Sequence, residues 1–220
     1  MNTTDIFEDD FLSQDELLTR LEEKTSVLKN ERIQEAFKAI DRRDFVRSDY
    51  QIEAYEDYPL PIGEGQTISQ PTTIAFMLEL LDPQEGDVVL DIGSGSGYTT
   101  ALLGYMVGKT GKVIGLEIYE DLIDFSRENL EKYNMDWVEV RKSEGGVPEI
   151  EEAPLDRVLV SAGAEEIPQA LIDQLKAGGV IVLPIKDMED RDTLLRIEKE
   201  KTGKLIKKSF PGFRFVPFQQ

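Results

Sequence analysis

From residue 86 onward the apolar positions fall into short apolar-rich runs, separated by stretches where they recur every three or four residues. The runs Asp87–Ile92, Lys112–Ile118, Trp137–Arg141, Arg157–Ala162 and Val180–Ile185 predict strands. The stretches Tyr98–Val107 and Asp121–Lys132, the latter with Leu122, Phe125 and Leu130 on one face, predict helices. Pro168 opens a further helix through Leu175, expected to stop at Gly178-Gly179. Strands alternating with helices of this length predict a doubly wound, mostly parallel α/β sheet. Three last apolar segments, Thr193–Lys199, Lys204–Ser209 and Phe213–Phe218, have no helices between them and predict an antiparallel C-terminal edge.

The first third reads differently. Residues 1–12 are polar and acidic, with Phe7, Phe11 and Leu12 as candidate docking points. Ser13-Gln14-Asp15-Glu16 has the spacing of a capping box, followed by a helical face of Leu17, Leu18 and Leu21. A second helix is expected over Glu31 to Ile40, and a third over Thr72 to Leu81 with Pro71 in its first turn. Between them, residues 50–70 carry two prolines and two glycines in their second half, which predict no regular structure over most of the stretch. Its apolar and aromatic content argues for a binding loop. The expected division is an N-terminal helical extension with this loop, 1–70, and an α/β core, 71–220.

Chemistry enters where the first run of the core ends, at Asp91-Ile92-Gly93-Ser94-Gly95-Ser96-Gly97-Tyr98. A strand, a glycine loop and a helix build a ligand crevice in open α/β sheets. The dinucleotide fingerprint G-x-G-x-x-G fails at Tyr98, and Gly108-Lys109-Thr110 fails as a phosphate loop because Leu103 stands where its first glycine belongs. What remains is an acidic residue directly before G-x-G-x-G, the usual loop of S-adenosylmethionine-dependent methyltransferases, or a turn that only lets strand and helix pack closely. Glu117, 20 residues past Gly97, closes the next strand and is placed to accept from ribose hydroxyls. That spacing fits a nicotinamide cofactor equally well.

Composition narrows the choice. Asp and Glu number 44 against 25 Lys and Arg, a formal charge of −19, which argues against nucleic acid or an anionic membrane as partner. The chain has neither Cys nor His, so disulfides, thiolate chemistry and imidazole base catalysis are excluded. Met1 to Asp10 has no apolar core of a signal peptide and no run approaches ~20 apolar residues, so a cytoplasmic protein is expected.

The run Pro59-Leu60-Pro61-Ile62-Gly63-Glu64-Gly65-Gln66-Thr67-Ile68-Ser69-Gln70-Pro71 resembles the signature loop of protein-L-isoaspartate O-methyltransferases. The resemblance continues through the 91–98 loop, Gly111 to Glu117, Ala153-Pro154-Leu155-Asp156, Ile167 to Gly179 and Phe215-Val216-Pro217. It implies a Rossmann-like methyltransferase fold and methyl transfer from S-adenosylmethionine to the free carboxyl of L-isoaspartyl, and in some members D-aspartyl, residues of damaged proteins. The ester then closes to a succinimide, and S-adenosylhomocysteine is the second product. By the same resemblance Ser69 is the active-site serine, with a helix cap as its alternative role. Gln66, Thr67, Ile68 and Ser69 line cofactor and substrate. Asp91, Gly93, Ser94, Gly95, Gly97, Glu117, Ile118, Ser143 and Glu144 hold the cofactor. Damaged proteins and peptides are the partners, no metal is involved and the chain acts as a monomer.

Three segments depart from the family's usual pattern. Ser143-Glu144-Gly145 replaces Gly-Asp-Gly, Ala162-Gly163-Ala164-Glu165 replaces Ala-Ala-Pro, and 186–192 is charged where a glycine-rich turn with Gln is common. They leave a second reading open, a non-catalytic or altered-specificity relative that binds S-adenosylmethionine or damaged peptides. The composition suits the first reading, because a carboxylate is already ionised near neutral pH and needs no general base.

Overall fold

The computed structural model describes residues 12–23, 25, 27–186 and 192–217. The expected docking points Phe7 and Phe11, the charged run 187–191 and Phe218 lie outside the described residues.

The capping box forms as read. The Ser13 N–H donates to Glu16 Oε2 at 2.8 Å and the Glu16 N–H donates to Ser13 Oγ at 3.3 Å, starting helix α1, Gln14–Glu23. Helix α2, Glu31–Ala39, is capped by the Asn30 side chain. Two 3-10 turns, Arg42–Phe45 and Ser48–Glu53, follow.

The 50–70 stretch departs from its expectation. It contains an antiparallel hairpin of β1, Leu60–Gly63, and β2, Gln66–Ile68. Its two-residue turn has φ +54° at Glu64 and +68° at Gly65, the positive pair that a type I′ turn requires. Glu is not a usual residue there, so the signal was hidden. Pro61 is tolerated because the hairpin is two-stranded and each strand has a free edge.

Helix α3, Pro71–Leu81, starts at Pro71 as expected, but Ser69 does not cap it. The cap comes from Asp57, whose carboxylate accepts from the Thr72 N–H at 2.9 Å and from Thr72 Oγ1 at 2.6 Å. Replacing Asp57 with Ala is expected to cost about 1 kcal/mol. The melting temperature should fall by about 2–4 °C. Thermal denaturation measures this, and an unchanged midpoint would show the cap to be dispensable.

The core alternates as predicted: β3 Val88–Ile92, α4 Tyr98–Val107, β4 Lys112–Glu117, α5 Glu120–Glu131, β5 Val138–Lys142, β6 Leu155–Val160, α6 Gln169–Gln174, β7 Leu175–Lys186, β8 Asp192–Lys199 and β9 Leu205–Phe213. The seven strands run in the order β5-β4-β3-β6-β7-β8-β9, parallel through β7 and antiparallel after it. Alternate strand residues serve opposite faces. Val89, Val113, Val140 and Leu159 join the core packed under α1 to α5, whereas Leu90, Ile114, Val158 and Val160 join the core closed by Leu171 and Ile172 of α6. Burial on both faces explains the apolar-rich runs.

Two boundaries differ from the reading. α6 stops at Gln174 and the chain enters β7 at once. Gly178, at φ +90°, sits in an irregularity of that strand instead of ending a helix. The expected strand 213–218 is not a separate strand among the described residues. β9 runs on through Pro211 to Phe213, as an edge strand permits. The chain then crosses back to the end of β6, where the Gly163 N–H donates to the Val216 carbonyl at 2.8 Å.

Candidate active site

β3 lies between β4 and β6, and the carboxyl ends of all three open on one edge of the sheet. Connections leave β3 and β4 toward helices here, so a crevice forms beyond the strand ends. Its floor is the 93–97 glycine loop. Gly95 has φ +54°, and a Cβ there would lie 3.0 Å from Ile62 Cδ1 of the hairpin. Only glycine lets hairpin and loop approach this closely.

Glu117 is the fixed anion of the crevice. Its Oε2 accepts from the Gly95 N–H at 2.9 Å, and its Oε1 accepts from the N–H groups of Ile118 at 2.7 Å and Tyr119 at 3.2 Å. An ionised carboxylate offers about four lone-pair sites, so acceptor capacity is left for a ligand hydroxyl. The side chain is 6% exposed and stands on the cavity wall.

The cavity, about 820 Å³ with its mouth included, is lined by Gln66, Thr67, Ile68, Ser69, Gly93, Ser94, Gly95, Glu117, Ile118 and Ser143 among the residues expected at the site. Ser69 and Glu117 therefore face the same space, from the hairpin side and the sheet side. Ser143 is held there by its N–H on the Glu117 carbonyl at 2.8 Å, and its hydroxyl accepts from the Gly145 N–H at 3.2 Å.

Asp91, Gly97 and Glu144 do not line the cavity. Glu144 is exposed, and the backbone of Gly145 and Gly146 takes the wall position beside it. Gly97 caps α4 at φ +87°, with Ser126 of α5 so close that a Cβ would meet it at 3.2 Å. Asp91 is fully buried beneath the loop. Its Oδ2 accepts from Thr100 Oγ1 at 2.7 Å and its Oδ1 has no partner, and the neighbouring Ser94 Oγ is likewise unpaired.

Burial pushes the Asp91 carboxyl up to about 7, against the Thr100 hydrogen bond and with the Glu117 charge adding to the rise. In the unfolded chain it titrates near ~4. Between these values the folded chain keeps a proton that the unfolded chain has released, so this group makes stability fall as pH rises from about 4 to about 7. Asp91→Asn retains an oxygen for Thr100 and removes the titration. It should be more stable than wild type above about pH 7, by up to about 4 kcal/mol, and gain nothing near pH 4. Urea unfolding of both proteins across this range measures the difference. A constant difference would mean that Asp91 does not titrate there.

Sequence reasoning missed several wall residues. Ser161 follows β6 and is placed at the crevice only by the strand order. Val216 and Pro217 reach it through the return crossing at Gly163. The resemblance of Phe215-Val216-Pro217 was the one signal for them. A second, wider cleft adjoins the first and shares Thr67, Ser69, Ser161 and Val216 with it. Pro59, Gln70, Phe213 and Phe215 complete much of its wall. Thus Ser69 stands at the boundary between the cavity and a wider adjoining cleft. Among the described residues no cluster of His, Cys, Asp or Glu fits a metal ion, and no helix is long and apolar enough to cross a membrane.

Comparison with known proteins agrees with this layout. The family described as protein-L-isoaspartate(D-aspartate) O-methyltransferase matches residues 12–220. A protein-L-isoaspartate O-methyltransferase of Methanopyrus kandleri is 41% identical over 206 residues, 93% of this chain and 90% of that protein. Protein-L-isoaspartate O-methyltransferase 2 of Archaeoglobus fulgidus is also 41% identical over 206 residues, 94% of this chain and 92% of that protein. A Plasmodium falciparum structure described as a protein-L-isoaspartate O-methyltransferase in complex with S-adenosyl-L-homocysteine superposes with a TM-score of 0.81 at 26% identity, covering 94% of this chain and 99% of that one. A second solved protein-L-isoaspartate O-methyltransferase gives 0.83 at 29% identity, over 94% of this chain and 66% of that one. The glycine loop, the strand-end carboxylate and the 59–71 segment thus come together in a chain that belongs to the protein-L-isoaspartate(D-aspartate) O-methyltransferase family.

Proposed function

We propose that this chain methylates the free carboxyl of L-isoaspartyl, and also D-aspartyl, residues in damaged proteins, with the cofactor in the cavity over the glycine loop and the peptide in the wider adjoining cleft. Family membership carries the reaction class. The observation that carries the arrangement is that the two spaces share Thr67, Ser69, Ser161 and Val216, so an acceptor in one can meet a donor in the other at Ser69.

The cavity suits S-adenosylmethionine. Glu117, fixed by three backbone N–H groups, is an acceptor for ribose hydroxyls. The Gly93–Gly95 backbone gives the close approach that a bulky nucleoside needs, and the unpaired Ser94 hydroxyl beneath it is a polar group still lacking a partner. Ile118 and Tyr119 offer apolar surface beside Glu117. Asp91 and Gly97 act from behind, holding the loop instead of touching the ligand. When bound, S-adenosylmethionine supplies a methyl on a positive sulfur, and the acceptor oxygen takes that methyl as the C–S electron pair returns to sulfur.

The protein's own task is orientation. An isoaspartyl carboxylate is ionised above about pH 5. The Ser69 hydroxyl makes no capping bond and is half-buried, which leaves it available to donate to one carboxylate oxygen and aim the other. Ile62, Ile68, Tyr98 and Val216 add apolar surface to the cavity wall, and apolar surroundings strengthen a hydrogen bond to a carboxylate. No proton has to move in the transfer, consistent with a chain that has no His.

Both clefts are built within one chain, which supports a monomer. The acidic surface and the absence of Cys support a cytoplasmic setting. Incubation with S-adenosylmethionine and an isoaspartyl peptide, followed by mass spectrometry, should give a methyl ester that decays to a succinimide. Tight binding of cofactor and peptide without any ester would favour a non-catalytic relative instead.

A further inference from the structure

The β1–β2 hairpin forms the roof of the cavity, yet it pairs with no strand of the seven-stranded sheet. A two-stranded hairpin is at best marginal on its own, so side-chain anchors must fix its position. The internal anchors are Leu60, Ile62 and Ile68, all buried in the main core, and Ile62 presses onto Gly95. A further anchor is external. Ile62 is the residue skipped where the hairpin register shifts between Pro61 and Gly63. Its carbonyl accepts instead from Arg47 Nε at 2.7 Å. The guanidinium centre of Arg47 sits 3.9 Å from the centroid of the Phe125 ring on α5. Gly63, at φ +107°, leaves room for it, since a Cβ there would come within 3.3 Å of Arg47 Nη2.

The same turn of α5 also holds the floor. Ser126, next to Phe125, packs under Gly97, and Asn129 Nδ2 donates to the Ser96 carbonyl at 3.1 Å. Roof and floor are therefore referenced to one helical turn, through Phe125 on one side and Ser126 with Asn129 on the other. The spacing between Glu117 on the sheet side and the 66–69 segment on the hairpin side depends on that turn. A cation–ring contact and one charge-assisted hydrogen bond are small beside the stability of a whole domain, so this link can open without unfolding the chain.

We propose that Arg47 and Phe125 form a strap that holds the hairpin over the cavity and sets how long cofactor and product stay bound. Both are positioning residues: neither lines the cavity. The inference rests on the reading that the cavity takes S-adenosylmethionine.

The test uses full-length wild type, Arg47→Ala, Arg47→Lys and Phe125→Leu. Stopped-flow release of S-adenosylhomocysteine should be about 30-fold faster or more in Arg47→Ala, the scale of one lost charge-assisted bond plus one ring contact. Phe125→Leu should show a smaller increase, and Arg47→Lys should fall between wild type and alanine because it keeps a donor but loses the planar stack. The KM for an isoaspartyl peptide should rise as well, because Thr67 and Ser69 of the same segment line the acceptor cleft, and the melting temperature should fall by only a few degrees. In the ligand-free protein, amide hydrogen exchange in 60–68 should quicken in Arg47→Ala, with α4 and β3 unaffected. Unchanged release from Arg47→Ala would overturn the proposal, and so would unchanged hairpin exchange. If wild type itself bound no S-adenosylhomocysteine, the reading of the cavity would fail, and the hairpin exchange would still decide whether the strap exists.

Discussion

Ser69→Ala is expected to lower kcat for methyl transfer about 100-fold, the range found when a single oriented donor is removed from a desolvated site. The Kd for S-adenosylhomocysteine should stay within about twofold. The reason is position. Ser69 stands where the cavity meets the adjoining cleft, and its hydroxyl is not committed to α3 because Asp57 supplies that cap. Alanine removes the donor that aims the acceptor oxygen and leaves Glu117 and the glycine loop intact. For the same reason Ser69→Ala should melt with wild type, unlike Asp57→Ala. Steady-state kinetics with an isoaspartyl peptide, calorimetry with S-adenosylhomocysteine and a melting curve separate the possibilities. A loss in cofactor affinity as large as the loss in turnover would show that Ser69 shapes the cavity and does not orient the acceptor.

The second large effect is expected at Glu117. Replacement by Gln keeps the shape but turns one acceptor oxygen into a donor. That donor must face either the Gly95 N–H or the paired N–H groups of Ile118 and Tyr119. A donor pointed at a donor leaves at least one N–H unpaired and removes a charged acceptor for ligand hydroxyls. Each loss is worth about 1–3 kcal/mol, so cofactor affinity should fall about 100-fold. Turnover at saturating cofactor should change much less, because Glu117 lies on the sheet side, away from the acceptor cleft. Calorimetry and a KM measurement for S-adenosylmethionine check this. A normal Kd with lost turnover would move Glu117 from binding to chemistry.

Much of this was legible in the chain where the controlling physics is local or repeats along it. β3 and β4 are buried along nearly their whole length, and each reads as a mostly apolar run. The Ser13–Glu16 box needs only residues three apart. Glu117 could be placed because a parallel sheet puts successive strand ends on one edge. The failures have the opposite character. The α3 cap belongs to Asp57, 15 residues from Thr72, so the local guess of Ser69 could not succeed. The hairpin escaped notice because Glu64 occupies a left-handed turn position that glycine or asparagine would have signalled. The adjoining cleft depends on 213–217 leaving the sheet edge and returning to Gly163, a contact that no periodicity encodes. Glu144 was expected from the family resemblance alone. Here Ser143 is tied to Glu117 and Gly145, and Ser143, Gly145 and Gly146 stand on the cavity wall while Glu144 is exposed.

If a donor cavity and an acceptor cleft meet at Ser69, they should serve a carboxylate one methylene out of its normal place. This is measured by kcat/KM for methyl transfer from labelled S-adenosylmethionine to a peptide containing L-isoaspartate, beside the identical peptide containing L-aspartate. The first should be labelled efficiently and the second not above background. Equal labelling of both peptides, or of neither, would contradict that arrangement.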